Sequence, residues 1–136
     1  MSPAGYSGTP LAKKLGLKAG LRASAVSAPP HYRALLAPEP EAINWLGYRA
    51  KRLDFVHLFV DREADFARRL PSQMARIVPN GMIWVSWPKK ASKVATDMTE
   101  DVLRKHALPL GLVDVKVCAV DEVWSGLKLV IRRENR

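Results

Sequence analysis

The segment WVSWPKKASKVATD, Trp84–Asp97, puts two indoles, three lysines and a carboxylate within fourteen residues. An aromatic ring offers a ligand a flat apolar face and a lysine supplies a mobile point charge, so these types together suit an anionic small molecule. Three other short segments carry comparable residues: SAPPHY with Ser27, His31 and Tyr32, DRE with Asp61, and DEVWSG with Asp121, Trp124 and Ser125. Together with Ser86, Trp87, Lys89, Lys90 and Asp97 they make a candidate binding rim. Within that set, Asp121 and His31 are the acid–base candidates. No Ser-His-Asp spacing, phosphate-binding glycine loop or metal-ligand cluster accompanies them, so no catalytic residue, cofactor or metal is expected.

Each of these residues also has a plainer reading. Trp84 lies inside an apolar run and reads as core. Trp87 and Trp124 either close the apolar end of a sheet or serve as a ligand platform. Lys89, Lys90 and Lys93 read as a solvated basic loop or as a phosphate clamp. Asp97 reads first as a helix cap. His57, in mid-strand, is a hydrogen-bonded core residue, and His106 sits where a helix C-terminus favours a cation. Cys118 has no neighbour in sequence that would make it a nucleophile.

For the four segments to meet, they must leave one edge of a sheet, and the element pattern supplies it. Thr9 as N-cap with Pro10 at the first helical position starts a short helix, PLAKKLG, stopped at Gly16. A small-residue strand leads to the Pro29–Pro30 pair; HYRALLA is a short helix and AINWLGY a weak strand. LDFVHLFV and GMIWVSW are apolar on both faces, as expected of parallel strands covered on both sides. Between them Phe66, Leu70, Met74 and Val78 mark a helix capped by Asp61, which Pro71 should kink or break. Asp97 and Glu100 resemble a capping box for a helix running to about Leu108, with Val102, Leu103 and Ala107 as its buried stripe. VDVKVCAV and GLKLVIRR alternate in polarity and form a closing antiparallel pair near a sheet edge.

The resulting expectation is a three-layer α/β domain with a mainly parallel six-stranded sheet. Its strands fall near 23–28, 42–46, 54–60, 81–87, 113–120 and 127–133, the last antiparallel to its neighbours. Residues 1–8 read as a mobile terminus and 9–136 as one domain. Ligands of such sheets bind outside the carboxyl ends of the strands, which is the edge the four segments share.

Composition bounds the rest. The chain has 136 residues, 48% of them apolar, which is enough for a real core. There is no membrane-length apolar run and no apolar leader segment, which points to the cytoplasm and against a membrane partner. A single cysteine excludes an internal disulfide. Lysine and arginine outnumber the acids 22 to 13, a balance that favours anionic partners, although no nucleic-acid motif accompanies it.

With its lead-in LAKKLGLKAGLRA, this element order resembles class I methyltransferases, in trimmed form, lacking a strand and helices between AINWLGY and LDFVHLFV. The phrases GYSGTPLAKKLGLKAG, VHLFV, WVSWPKK, VATDMTEDVLR and LGLVDVKVCAVDEVWSGLKLVIRRENR resemble a bacterial family of short proteins catalogued as a domain of unknown function. With the closing hairpin, the resemblance implies a methyltransferase-like, Rossmann-like fold whose six strands lie in the order 2-1-3-4-6-5, and it brings no activity with it. Where such folds place glycines after the first strand, this chain has SAVSAPPHY, and prolines donate no amide. The segment INWLGYRAKR is basic where an acid would hold a ribose. These departures predict no binding of S-adenosylmethionine. They also predict a non-catalytic or regulatory module that takes an anionic small molecule or a protein partner at the rim. The alternatives are an unrecognised enzyme acting on a nucleotide-like or anionic small molecule, or a weak nucleic-acid binder.

Overall fold

Six strands form one sheet in the order β2-β1-β3-β4-β6-β5, and the computed structural model describes residues 8–136. In chain order the elements are α1 (Leu11–Lys14), β1 (Arg22–Val26), α2 (Tyr32–Leu36), β2 (Asn44–Trp45), β3 (Leu53–Phe59), α3 (Glu63–Met74), β4 (Ile77–Pro88), α4 (Glu100–Ala107), β5 (Leu112–Ala119) and β6 (Trp124–Ile131). Strands β1 to β4 run parallel to one another, while β6 runs antiparallel to both β4 and β5. The expected order and the reversed last strand are both found. The reading of residues 1–8 as a mobile terminus falls, for residues 1–7, outside the described part.

β3 occupies the centre, which explains its largely apolar sequence: Leu53, Phe55, Val56 and Leu58 have no exposed surface, and its two polar residues are the half-buried Asp54 and the buried His57. Its alternate residues feed two separate cores. On one face Leu53, Val56, Leu58 and Val60 pack with Phe66, Leu70 and Leu103 of α3 and α4. On the other, Phe55 and Phe59 pack with Leu15, Tyr32, Leu36 and Trp84 under α1 and α2. The two clusters give the three layers.

Several local expectations are corrected. α1 begins at Leu11 with Pro10 at its N-cap and no capping side chain, so Thr9 does not cap it. Asp61 does not cap α3; that helix starts after Arg62, and its first amide, Glu63 N–H, donates instead to Asp97 Oδ1 at 2.6 Å. Asp97 therefore does not cap α4. Thr99 does, its Oγ1 accepting from Val102 N–H at 3.1 Å. Pro71 neither breaks nor ends α3. It is exposed and lies in the last turn, where only the bond to the Ala67 carbonyl is forfeited. β4 starts at Ile77 rather than 81, and its pairing with β3 jumps between Ile77 and Met82. Gly81 makes that irregularity possible, since a Cβ there would stand 2.9 Å from the Leu53 carbonyl oxygen.

Between β2 and β3 the chain passes directly, without a covering helix, and a side chain fills the space over β1. Arg76, 5% exposed, donates to Ala50 O, Gly47 O, Ser24 Oγ and Gln73 Oε1. Burial pushes its pKa below the usual arginine value, and these four acceptors satisfy the guanidinium that a helix would otherwise have displaced.

Candidate functional site

Parallel strands β1 and β3 and the hairpin β5–β6 end on one edge, and the residues there sort into three groups. At the end of β1 the chain turns sharply through Ser27, whose φ of 58° is left-handed. Ser27 Oγ accepts from Arg69 Nη1 at 2.8 Å, and Arg69 Nε donates to Asp65 Oδ1 at 3.1 Å, so helix α3 latches the turn. Ser27, Phe59, Val60, Asp61, Asp65 and Trp124 line a cleft of about 250 Å³. Asp65 is occupied by Arg68 and Arg69. Among the described residues nothing pairs with the exposed Asp61 carboxylate, whose backbone carbonyl accepts from Thr96 Oγ1 at 2.7 Å. Across Ser27 lies a wider cavity of about 750 Å³ that reaches Leu46, Gly47 and Tyr48 beyond β2. Tyr48 is 73% exposed.

Beside this cleft, His31 and Asp121 meet at 3.2 Å. The other Asp121 oxygen accepts the Val123 and Trp124 amides at 2.8 Å each, so this carboxylate shapes the hairpin turn while facing the histidine. Trp124 in turn sets its ring edge-on to Phe59 at 5.0 Å.

A second group is buried. Tyr32 Oη lies 2.8 Å from His57 Nδ1, and His57 Nε2 lies 2.7 Å from Ser86 Oγ. His57 stacks on Phe59 at 4.3 Å and has no exposed surface. Desolvation lowers its pKa to about 3, so the ring is neutral and donates through one nitrogen while accepting at the other. Burial also pushes the Tyr32 hydroxyl far above its usual value. Tyr32 and Ser86, expected on the rim, thus belong to a core chain with His57.

The third group follows β4. Trp87 and Met98 are 6% and 3% exposed and form the floor of a cavity of about 540 Å³, bordered by Lys89, Lys90, Lys93, Val94 and Ser125 among others. Trp87 packs in the α3/α4 cluster and Trp124 against the α1/α2 cluster, so the two indoles lie on opposite faces and share no cavity. The twelve rim residues therefore do not converge. Ser27, Asp61 and Trp124 stay together, with His31 and Asp121 beside them; Trp87, Lys89, Lys90 and Ser125 form a separate patch; Asp97 serves α3. Asp65, Arg69, Lys93 and Met98 were not singled out from sequence as rim residues. The i, i+4 spacing of Asp65 and Arg69 signals a pair without showing that it reaches Ser27. Among the described residues no group of His, Cys, Asp and Glu is placed to hold a metal, and no helix is long and apolar enough to cross a membrane.

No family model matches the chain, and no curated protein matches it. Solved structures do. Aeropyrum pernix fibrillarin, in complex with natively bound S-adenosyl-L-methionine, is 17% identical with a TM-score of 0.54, over 88% of this chain and 73% of that one. A SAM-dependent methyltransferase from Aquifex aeolicus is 13% identical with a TM-score of 0.59, over 88% and 87%. The ribosomal protein L11 methylase of Lactobacillus delbrueckii subsp. bulgaricus is 8% identical with a TM-score of 0.58, over 90% and 76%. At these identities the likeness is one of fold, and the fold is methyltransferase-like. It corrects the expectation of a non-catalytic or regulatory module, because the architecture matched is that of SAM-dependent methyltransferases.

Proposed function

We propose that this chain is a bacterial, cytoplasmic methyltransferase of the short family its motifs resemble, with S-adenosylmethionine as methyl donor. The observation that carries the reading is the acidic cleft at the ends of β1 and β3, set on a methyltransferase-like sheet. When bound, the donor supplies a methyl group activated on a sulfonium cation. Asp61, unpaired among the described residues, and the rings of Phe59 and Trp124 suit a cationic amino-acid tail and sulfonium. The wider cavity beyond Ser27 has room for a nucleoside, and Tyr48 offers its adenine a face. Pro29 and Pro30 withhold two amides from the turn, so side chains do the holding: Ser27 and Arg69 on the turn, Asp61 on the cation. In this reading those side chains stand in for the amides that the proline turn withholds.

Titration calorimetry tests it. S-adenosylmethionine is expected to bind the native chain, with affinity falling at least tenfold in Asp61→Asn while the melting temperature is kept. Absence of binding at millimolar donor, or equal affinity in Asp61→Asn, overturns the reading.

A further inference from the structure

The cavity after β4 carries the opposite charge to the cleft proposed for the donor. Its floor is apolar, Trp87 and Met98, with Val94 at its lip 45% exposed. Its border carries Lys89, Lys90 and Lys93, and among the described residues no acid pairs with any of the three. Glu100, the carboxylate that also borders it, is committed to Arg104 Nη2 at 2.9 Å. Lys90 and Lys93 are exposed and Lys89 is half-buried, so three cations stand around an apolar floor with their charge available to an anion. At about 540 Å³ the cavity is sized for one small molecule.

Its position is equally specific. The Thr96 hydroxyl borders the cavity and donates to the Asp61 carbonyl, and Asp61 borders the donor cleft. Ser86 O accepts from Val60 N–H at 2.9 Å, which ties the end of β4 to the end of β3. One hydrogen bond thus joins a wall of each pocket along the same edge. Backbone geometry holds the lysines: Lys89 N–H donates to Val123 O at 2.7 Å, fixing the segment to the hairpin, and Lys93 adopts a left-handed φ of 61° that turns the chain back.

We infer that this cavity binds a small anionic amphiphile, a carboxylate or phosphate carried on an aromatic or branched aliphatic body. The acid group meets Lys89, Lys90 and Lys93, and the apolar body rests over Trp87, Met98 and Val94. If the chain transfers methyl groups, which is the proposal above, this molecule is the acceptor, brought beside Asp61 by the contiguity of the two pockets. The arrangement disfavours an extended polyanion, since the cations ring one concavity around buried apolar groups instead of tracking a surface.

The probe is 2-naphthoate, with 2-naphthalenemethanol as its neutral counterpart, titrated into the full chain by calorimetry and by following the indole N–H resonances. Naphthoate is expected to bind, to shift the Trp87 resonance more than that of Trp124, and to bind at least tenfold more tightly than the alcohol. A Lys89→Ala, Lys90→Ala, Lys93→Asn variant is expected to lose tenfold or more in naphthoate affinity with its melting temperature unchanged; Asn tolerates the left-handed backbone at 93. Equal affinity for acid and alcohol, an unchanged affinity in the lysine variant, or no binding at millimolar naphthoate overturns the inference. So does salt-sensitive, lysine-dependent binding of a single-stranded oligonucleotide by a chain that ignores naphthoate. The donor reading fails separately: naphthoate binding with no S-adenosylmethionine binding leaves this pocket standing and removes its role as an acceptor site.

Discussion

The two faces of the sheet are built from different materials. Under α3 and α4, helices of twelve and eight residues, the buried residues are mainly aliphatic and carry few polar atoms. Under α1 and α2, of four and five residues, the core is Phe55, Phe59, Tyr32 and Trp84, with His57 and Ser86 among them. A short helix presents few side chains to a sheet, and wide rings reach across what it leaves uncovered. Rings with N–H and O–H groups then need partners inside the core. The Trp84 indole N–H donates to Leu15 O at 2.9 Å, and Tyr32, His57 and Ser86 satisfy one another. The α1/α2 face is thus held by area and by obligatory hydrogen bonds inside its core. The α3/α4 core is held by area, and its buried hydrogen bonds gather over β1, where Arg76 meets Ser24 and Gln73.

The largest expected effect tests that difference. Trp84→Ala should cost about 3 to 5 kcal/mol in urea unfolding, as for a fully buried indole. The sharper comparison keeps volume more nearly constant. Trp84→Phe strands the Leu15 carbonyl and should cost about 1 to 3 kcal/mol from that alone, whereas Leu103→Met on the opposite face should stay under about 1.5 kcal/mol. If the two conservative changes cost the same, hydrogen bonding is not what distinguishes the faces.

A smaller effect should appear with pH, and on one face only. His57 is neutral when folded because burial lowers its pKa to about 3. Its ordinary value is about 6.5, so between those limits the unfolded chain takes up a proton that the folded chain refuses. Stability from this source is complete above pH 6.5 and is lost as pH falls, by up to about 1.4 kcal/mol per unit. Glu39 and Glu63, whose pKa values are lowered, add their own losses only below about pH 4.5, the ordinary glutamate range. Urea unfolding at intervals from pH 7 to 4.5 should therefore show a falling stability that His57→Gln flattens, since Gln stays uncharged and can both donate and accept. His31 and His106 are present in both proteins and cancel. Parallel profiles for the two would mean that His57 is not the group responsible.

The same contrast governs what was legible in the sequence. β3, β4, α3 and α4 declare themselves because residues 53–60 are apolar but for Asp54 and His57, Phe66, Leu70 and Met74 recur every four residues in α3, and Val102, Leu103 and Ala107 stripe α4. The strand order followed from the methyltransferase resemblance and the closing hairpin. The carboxyl edge could be located, and residues from four segments do arrive there. What could not be read is which face each residue takes once there. Trp87 and Trp124 sit one register step apart on neighbouring strands β4 and β6, Trp87 opposite Ser125 and Trp124 opposite Pro88. A single step puts side chains on opposite faces, so one expected rim became an acidic cleft and a lysine cavity. Pairings that close over long stretches of chain were also invisible: Arg76 over Ser24, Arg69 to Ser27, and Tyr32 to His57. None leaves a local pattern, because each depends on the helix and strand already being in place.

The smallest expected effect concerns how the two long helices are started, and it turns on such a pairing. Asp97 and Thr99 are two residues apart, and local spacing assigns Asp97 to the helix that follows it. The structure divides them: Thr99 Oγ1 caps α4 through Val102 N–H, and Asp97 reaches across to the first amide of α3, Glu63 N–H. Each bond satisfies one of the amides that a helix start leaves without a partner, and each substitution to Ala should cost about 1 kcal/mol. Their consequences should differ in place. Thr99→Ala should raise amide exchange in the first turn of α4 and leave α3 alone, while Asp97→Ala should do the reverse. Glu63 adds a further tie, since its carboxylate takes Lys105 Nζ and His106 Nε2 at 2.7 Å each from α4. Loosening the start of α3 should therefore also weaken protection at the end of α4, near His106, before it touches the start of α4 at Val102. Hydrogen exchange read residue by residue checks the assignment: if Asp97→Ala exposes Val102 rather than Glu63, Asp97 caps the helix that local spacing gave it, and the coupling of α3 to α4 rests on Glu63 alone.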